Sequence, residues 1–137
     1  MGRLLAIDYG KKRTGLAVTD SLRIIATALD TVSTDELLTY LKNYLGRETI
    51  DAFVIGMPRT LKNEDSEIAP AVRAFITELH KAFPGKPIHE VDERFTSSMA
   101  KRAMIEGGMK KKDRRVKGNA DKISAVLILQ QFMEMNR

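Results

Sequence analysis

Short apolar runs at the start of the chain predict three strands joined by tight turns. The first covers residues 3–8 and ends in Asp8, and the second covers residues 14–20. The third runs from Arg23 to Val32, with Ile24, Ile25 and Leu29 as its apolar positions. Because the links between them are short, consecutive strands should pair as antiparallel hairpins.

Helical and strand patterns then alternate through the rest of the chain. Ser33 to Glu36 matches a capping box, and leucines follow it at helical spacing. Residues 50–56 form a continuous apolar run of the kind found in sheets covered on both faces. We expect a helix over about 66–82 and a fifth strand over 86–91.

Two more helices are predicted after the fifth strand. Thr96 should cap a short helix that Gly107-Gly108 closes. Asn119 should cap the last helix, whose apolar side is formed by Ile123, Val126, Leu127 and Gln130. This element order predicts one α/β domain over residues 1–137, a mixed five-stranded sheet whose first three strands are antiparallel, with helices on both faces.

Composition narrows the chemistry. The 137 residues include no cysteine and only two histidines, His80 and His89. A disulfide scaffold and a cysteine nucleophile are excluded, and a histidine-based metal site is hard to build. No apolar run approaches the ~20 residues of a membrane span, and no export signal is visible, so we expect a cytoplasmic protein without a membrane partner.

The net charge of +5 is concentrated in one short segment. Acidic and basic residues balance within residues 1–109 and again within 118–137. The whole excess lies in one basic segment, whose cations are Lys110, Lys111, Lys112, Arg114, Arg115 and Lys117. Such a local excess is typical either of a solvated loop or of a contact with an anionic partner, most commonly nucleic acid.

Carboxylates follow the predicted strands at the same edge of the sheet. Asp8 ends the first strand, and Asp92 and Glu93 end the fifth, which should run parallel to it. Since neighbouring residues of a strand point to opposite faces, only one of that pair can face Asp8. Asp121 falls in the first turn of the last predicted helix.

Three or four such carboxylates, without histidine or cysteine, favour a hard cation such as Mg²⁺ or Mn²⁺. Two metal ions about 4 Å apart can activate water and stabilise the leaving oxygen of a phosphodiester. Each residue alone has a simpler explanation, as a turn former, a helix-dipole partner or a surface ion pair. Their joint placement is what predicts a metal-dependent nuclease.

A rival interpretation concerns the turn from Asp8 to Gly15. Sugar kinases and actin-like ATPases carry a similar glycine-containing hairpin that holds a nucleotide phosphate. Those proteins close two lobes over the nucleotide, and a chain of 137 residues is too short to supply both. This interpretation therefore ranks low.

Four segments, in order along the chain, resemble the YqgF family, also called RuvX. They are Ala6–Asp20, the Val54–Pro58 strand end, Val91–Ser97 with its Asp-Glu-Arg signature, and Lys117–Gln131. The resemblance implies a ribonuclease H-like fold and a metal-dependent endonuclease acting on precursor 16S ribosomal RNA. It also implies that Asp8, Glu93 and Asp121 are the catalytic and metal-binding triad, with Asp92 as a neighbouring candidate ligand.

The resemblance further implies that Lys11, Arg13 and Arg94 face phosphates, and Lys12 belongs to the same candidate nucleic-acid-binding set. Two alternatives stay open beside an RNA nuclease. One is the same chemistry on branched DNA, as in a Holliday junction resolvase, which would favour a two-fold homodimer. The other is a non-catalytic RNA-binding module of ribosome assembly.

Overall fold

The computed structural model describes residues 2–57, 68–92 and 117–135, with side chains in the last range from residue 123 onward. The strands and helices, in chain order, are β1 (Arg3–Asp8), β2 (Arg13–Thr19), β3 (Ala26–Ser33), α1 (Leu37–Leu45), β4 (Ile50–Met57), α2 (Ala69–Ala82), β5 (Ile88–Asp92) and α3 (Lys117–Met135). The short helix predicted from Thr96 to Gly108 lies outside the described residues. None of the described helices is both long and apolar enough to cross a membrane.

The five described strands form one mixed sheet in the order β3-β2-β1-β4-β5. The hairpin pairs β1–β2 and β2–β3 are antiparallel, whereas β1–β4 and β4–β5 are parallel. Because β4 joins β1 to β5 in the parallel sense, the carboxyl ends of these three strands meet at one edge. The predicted sheet is confirmed, and β1 is its central strand.

Side-chain alternation along the strands divides the core into two layers. Leu5 and Ile7 of β1 pack with residues of α1 and α2 in one apolar cluster. Leu4 and Ala6 pack with residues of α3 in the other. Both faces of the sheet are therefore covered, as the continuous apolar run of β4 predicts.

The start of β3 differs from the prediction, since the strand begins at Ala26 rather than at Arg23. The carboxylate of Asp20 accepts hydrogen bonds from the backbone N–H groups of Ile24 (2.7 Å) and Ile25 (2.9 Å). Arg23 adopts a left-handed backbone conformation with φ 57°. These contacts close a turn, so both isoleucines are more than 60% exposed instead of facing the core.

The capping box predicted at Ser33 is wrong. Ser33 still pairs with Arg13 in the β2–β3 ladder, and its side chain makes no capping hydrogen bond. A 3₁₀ turn over Thr34–Glu36 follows, and α1 begins only at Leu37.

The last helix also differs in its start and its buried side. α3 begins at Lys117, so Asn119 is helical rather than a cap, and Asp121 falls beyond the first turn. Its fully buried side chains are Ala125, Ile128 and Leu129, whereas Gln130 is exposed. The segment is apolar on nearly all sides from residue 123 to 129, so its periodicity could not identify one face.

Candidate active site

Asp8 ends the central strand at the edge where the parallel strands finish. It pairs with Gly15 of β2 and is partly buried. Leu4 and Ala6, which precede it at two-residue spacing, lie in the cluster packed under α3. Alternation therefore places Asp8 on the α3 side of the sheet.

Asp92 ends β5 at the same edge but on the opposite face. Val91 packs in the α3 cluster, whereas Ile88 packs against the cluster under α1 and α2. Asp92 is four residues beyond Ile88 and is paired with Met57, a member of that second cluster. With β4 between β1 and β5, Asp8 and Asp92 are about 10 Å apart along the sheet and face opposite ways. The structure does not bring this pair together.

The next residue, Glu93, and its neighbour Arg94 lie outside the described residues.

The backbone of α3 runs toward this same edge. Phe132, near its carboxyl end, stacks on His89 at 4.8 Å and lines a cavity with Leu4, at the amino end of β1. From Phe132 back to Asp121, eleven residues of helix rise about 16 Å, and β1 from Leu4 to Asp8 spans about 13 Å. The backbone of Asp121 therefore lies near the level of Asp8, one turn before the buried Ala125. The Asp121 side chain itself is not described.

Neither histidine belongs to a metal-binding cluster of the described side chains. His80 is exposed on α2. His89 lies on β5, and its ring packs on Phe132 of α3. Within the described side chains, no group of three histidines, aspartates or glutamates could hold a metal ion. The carboxylate oxygens of Asp8 are of the kind that fits Mg²⁺ or Mn²⁺.

The turn between β1 and β2, residues Tyr9–Lys12, presents two cations directly after Asp8. Lys11 and Lys12 are exposed, and Arg13, which opens β2, is partly buried. A Cβ atom added to Gly10 would lie 2.2 Å from the carbonyl oxygen of Arg13, so the turn requires glycine here. The basic segment at residues 110–116 lies outside the described residues, as does the side chain of Lys117.

Thr34 connects this turn to the start of α1. Its hydroxyl donates to the carbonyl oxygen of Gly10 at 2.6 Å, and its N–H donates to the carbonyl oxygen of Lys12 at 3.0 Å. The hydroxyl of the fully buried Thr14 lies 2.9 Å from that of Thr34. Sequence reasoning did not identify Thr34, because these contacts span 20 to 24 residues and depend on the register of β2 with β3.

Tyr9 is the first residue of this turn, and its side chain lies on the side of the sheet opposite to Asp8. Its ring packs on Phe75 of α2 with centroids 5.1 Å apart. Burial raises the pKa of its phenol, and the charges of Glu78 and Asp35 raise it further. Two carboxylates, those of Glu78 and Asp35, therefore lie close enough to the Tyr9 phenol to disfavour its ionisation.

A cavity of about 460 Å³ lies at the opposite edge of the sheet, lined by Leu4, Arg23, Asp51, His89, Phe132 and Met133 among others. Arg23 is held there by Asp51 at 2.7 Å. Asp8 and Asp92 are not among its described lining residues.

Comparison with known proteins gives a match over nearly the whole chain. The family model described as "RuvX: Holliday junction resolvase" matches residues 2–135. A protein of Parabacteroides distasonis named "Putative pre-16S rRNA nuclease" is 50% identical over 137 residues, which cover 100% of this chain and 98% of the relative. A protein of Porphyromonas gingivalis with the same name is 52% identical over 134 residues, covering 98% and 97%.

Solved structures of Thermus thermophilus RuvC share the fold. One, in complex with a Holliday junction substrate, superposes with a TM-score of 0.57 at 19% identity and covers 99% of this chain and 97% of that one. Another superposes with a TM-score of 0.58 at 17% identity, covering 98% and 96%. These likenesses support the ribonuclease H-like architecture expected from the sequence.

Proposed function

Because this chain belongs to the family described as RuvX, we propose that it is a metal-dependent endonuclease that hydrolyses phosphodiester bonds in precursor 16S ribosomal RNA. The observation that carries the proposal is the position of Asp8. It ends the central strand on the face covered by α3, and the same helix brings the backbone of Asp121 toward that edge. The names of two relatives about 50% identical to this chain favour precursor 16S RNA over branched DNA as the substrate.

We assign Asp8, Glu93 and Asp121 to the catalytic and metal-binding set, with Mg²⁺ or Mn²⁺ as the cofactor. We leave Asp92 out of this set, and the support for doing so is strand alternation along β5, by which Asp92 faces away from Asp8. When bound, the cation would activate a water molecule and neutralise charge developing on the phosphate. The carboxylate of Asp8 would hold that cation at a rigid strand end.

Nucleic acid is the partner that the cations at this edge would contact. Lys11 and Lys12 project from the turn that follows Asp8, and Arg13 opens β2 beside them. We include Arg94 and the basic segment of residues 110–117 in this set. Such cations would contact the phosphate backbone of structured RNA, and the binding affinity would fall steeply as the salt concentration rises. We also assign the reaction to the cytoplasm, as the sequence led us to expect.

The experiment pairs wild type with Asp8→Asn on a 16S precursor fragment, with Mn²⁺ and with a chelator. Wild type should cleave only with metal, and Asp8→Asn should lose cleavage while still binding the RNA. Asp51→Asn is the matched control, since it makes the same change at the opposite edge of the sheet and should leave cleavage intact. RNA binding without metal-dependent cleavage by wild type would refute the nuclease and favour the assembly module.

A second pair of variants tests the assignment at the end of β5. Glu93→Gln should abolish cleavage, whereas Asp92→Asn should retain it. The reverse result would overturn the choice between the two carboxylates while leaving the nuclease itself in place.

A four-way DNA junction provides the test of the alternative substrate. If wild type cut the junction symmetrically and left the RNA fragment intact, the resolvase would be the better assignment. That reaction needs two active sites, so it would be accompanied by a homodimer at the working concentration.

A further inference from the structure

Thr34 is bonded to the β1–β2 turn through its hydroxyl and its backbone N–H, and to β2 through the hydroxyl of Thr14. The carbonyl oxygen of Gly10 can only accept, so the single hydroxyl proton of Thr34 is donated to it at 2.6 Å. The hydroxyl of Thr14 must then donate to the hydroxyl oxygen of Thr34 at 2.9 Å. The direction of the whole chain of hydrogen bonds follows from this count of protons.

The backbone N–H of Thr34 adds a second hold on the same turn. It donates to the carbonyl oxygen of Lys12 at 3.0 Å. One residue thereby fixes two carbonyl groups, one on each side of Lys11. The strands that flank the turn are paired up to Asp8 with Gly15 and up to Arg13 with Ser33, so the turn is held at both ends and across its middle.

This hold matters because lysine is a flexible cation. Lys11 and Lys12 are exposed and carry long side chains, so only their backbone can restrict where their ammonium groups reach. A backbone fixed before binding lowers the conformational entropy lost when the two cations meet phosphates. Thr34 is only partly exposed and carries no charge, so it would act through the turn rather than on the substrate.

We propose that Thr34 is a positioning residue, which holds the β1–β2 turn so that Lys11 and Lys12 bind the RNA backbone next to Asp8. This inference rests on the proposed function. It assigns a role in substrate binding to a residue outside the acidic set and outside the basic residues.

The test compares three variants with wild type. Thr34→Val keeps the shape and the backbone N–H but removes the hydroxyl, and Thr34→Ser restores the hydroxyl. Thr19→Val is the matched control, because it makes the same change at a fully buried threonine whose hydroxyl accepts a hydrogen bond from the N–H of Leu4 at 2.9 Å, at the other end of β1. Cleavage of the 16S precursor fragment is measured over a range of salt concentrations, and ¹⁵N relaxation is measured at Lys11 and Lys12.

In Thr34→Val, KM should rise about two- to tenfold with kcat changed less than about twofold, as expected for one lost hydrogen bond that acts on binding. The slope of log KM against log salt should become shallower by about 1–2, because up to two phosphate contacts are lost. The amides of Lys11 and Lys12 should become more mobile. Thr34→Ser should restore all three measurements, and Thr19→Val should change none of them.

The outcomes separate this inference from the proposed function. A wild type that neither binds nor cleaves the RNA refutes the proposed function, whatever the relaxation data show. A wild type that cleaves, with a mobile turn but unchanged KM and salt slope in Thr34→Val, refutes the positioning role alone. Equal changes in KM, salt slope and amide mobility in Thr34→Val and Thr19→Val would mean that Thr34 contributes only to general stability. That result would also refute the positioning role.

Discussion

Gly10→Ala is the substitution for which the structure predicts the largest effect from a single added carbon atom. The new Cβ would lie 2.2 Å from the carbonyl oxygen of Arg13, so one of the two must recede by more than about 1 Å to reach ordinary contact. Both atoms belong to the backbone of a paired hairpin and cannot rotate away. Such overpacking costs about 1–3 kcal/mol, and the shift would also stretch the hydrogen bond from Thr34, which is worth about 1 kcal/mol.

We therefore expect Gly10→Ala to lower the free energy of unfolding by about 2–4 kcal/mol, measured by urea denaturation. Two other glycines serve as controls. Gly46 has right-handed helical backbone angles and 3.4 Å of space, so Gly46→Ala should be neutral or stabilising by up to about 1 kcal/mol. Gly85 has open space but φ +87°, so Gly85→Ala should lose about 1–2 kcal/mol from backbone strain alone.

This set separates steric contact from backbone strain, because Gly85 is the glycine with positive φ within the described ranges 2–57, 68–92 and 117–135. A Gly10→Ala protein whose stability lies within about 0.5 kcal/mol of wild type would refute the tight turn. It would also remove the structural basis for the role of Thr34.

Two further predictions concern acid stability and the core. The pKa of Asp51 is lowered by the N–H of Gly2 and by Arg23, so its contribution to stability is complete above the ordinary carboxyl pKa of 3.8 and is lost as the pH falls through the lowered value. The difference in unfolding free energy between wild type and Asp51→Asn should therefore be smaller at about pH 3 than at about pH 6, and an equal difference at both would contradict the ion pair. Ile128→Ala, in the fully buried row of α3, should cost about 2–5 kcal/mol, whereas Ile24→Ala, at 63% exposure, should stay within about 0.5 kcal/mol, both by chemical denaturation. Equal losses would mean that the buried side of α3 is assigned wrongly.

Most of the fold could be predicted from sequence because its signals are local. The apolar run of β4 and the two-residue alternation of β1 identify buried strands without any knowledge of their partners. The boundaries failed where a side chain competes with the expected pattern. The carboxylate of Asp20 accepts hydrogen bonds from two backbone N–H groups, so the predicted start of β3 is a turn instead. The sequence pattern does not show this, because Ile24 and Ile25 are apolar and suggest a buried strand.

The site was predictable only in part, for a different reason. The residue types and the shared edge follow from strand order, but the face on which each carboxylate lies depends on strand register. The face on which Asp92 lies could not be known until Ile88 and Val91 were assigned to opposite layers of the core. Thr34 was missed entirely because its partners are far away in the sequence.

The late position of α3 in the chain has a consequence for synthesis on the ribosome. The five described strands are translated before residue 117, yet the face of the sheet that carries Leu4, Ala6 and Val54 is covered by that helix. During elongation this face would remain exposed to solvent, and the same helix brings Asp121. Under the proposed assignment, a nascent chain therefore cannot cleave RNA before its second core layer closes, so catalytic competence and completion of the fold arrive together.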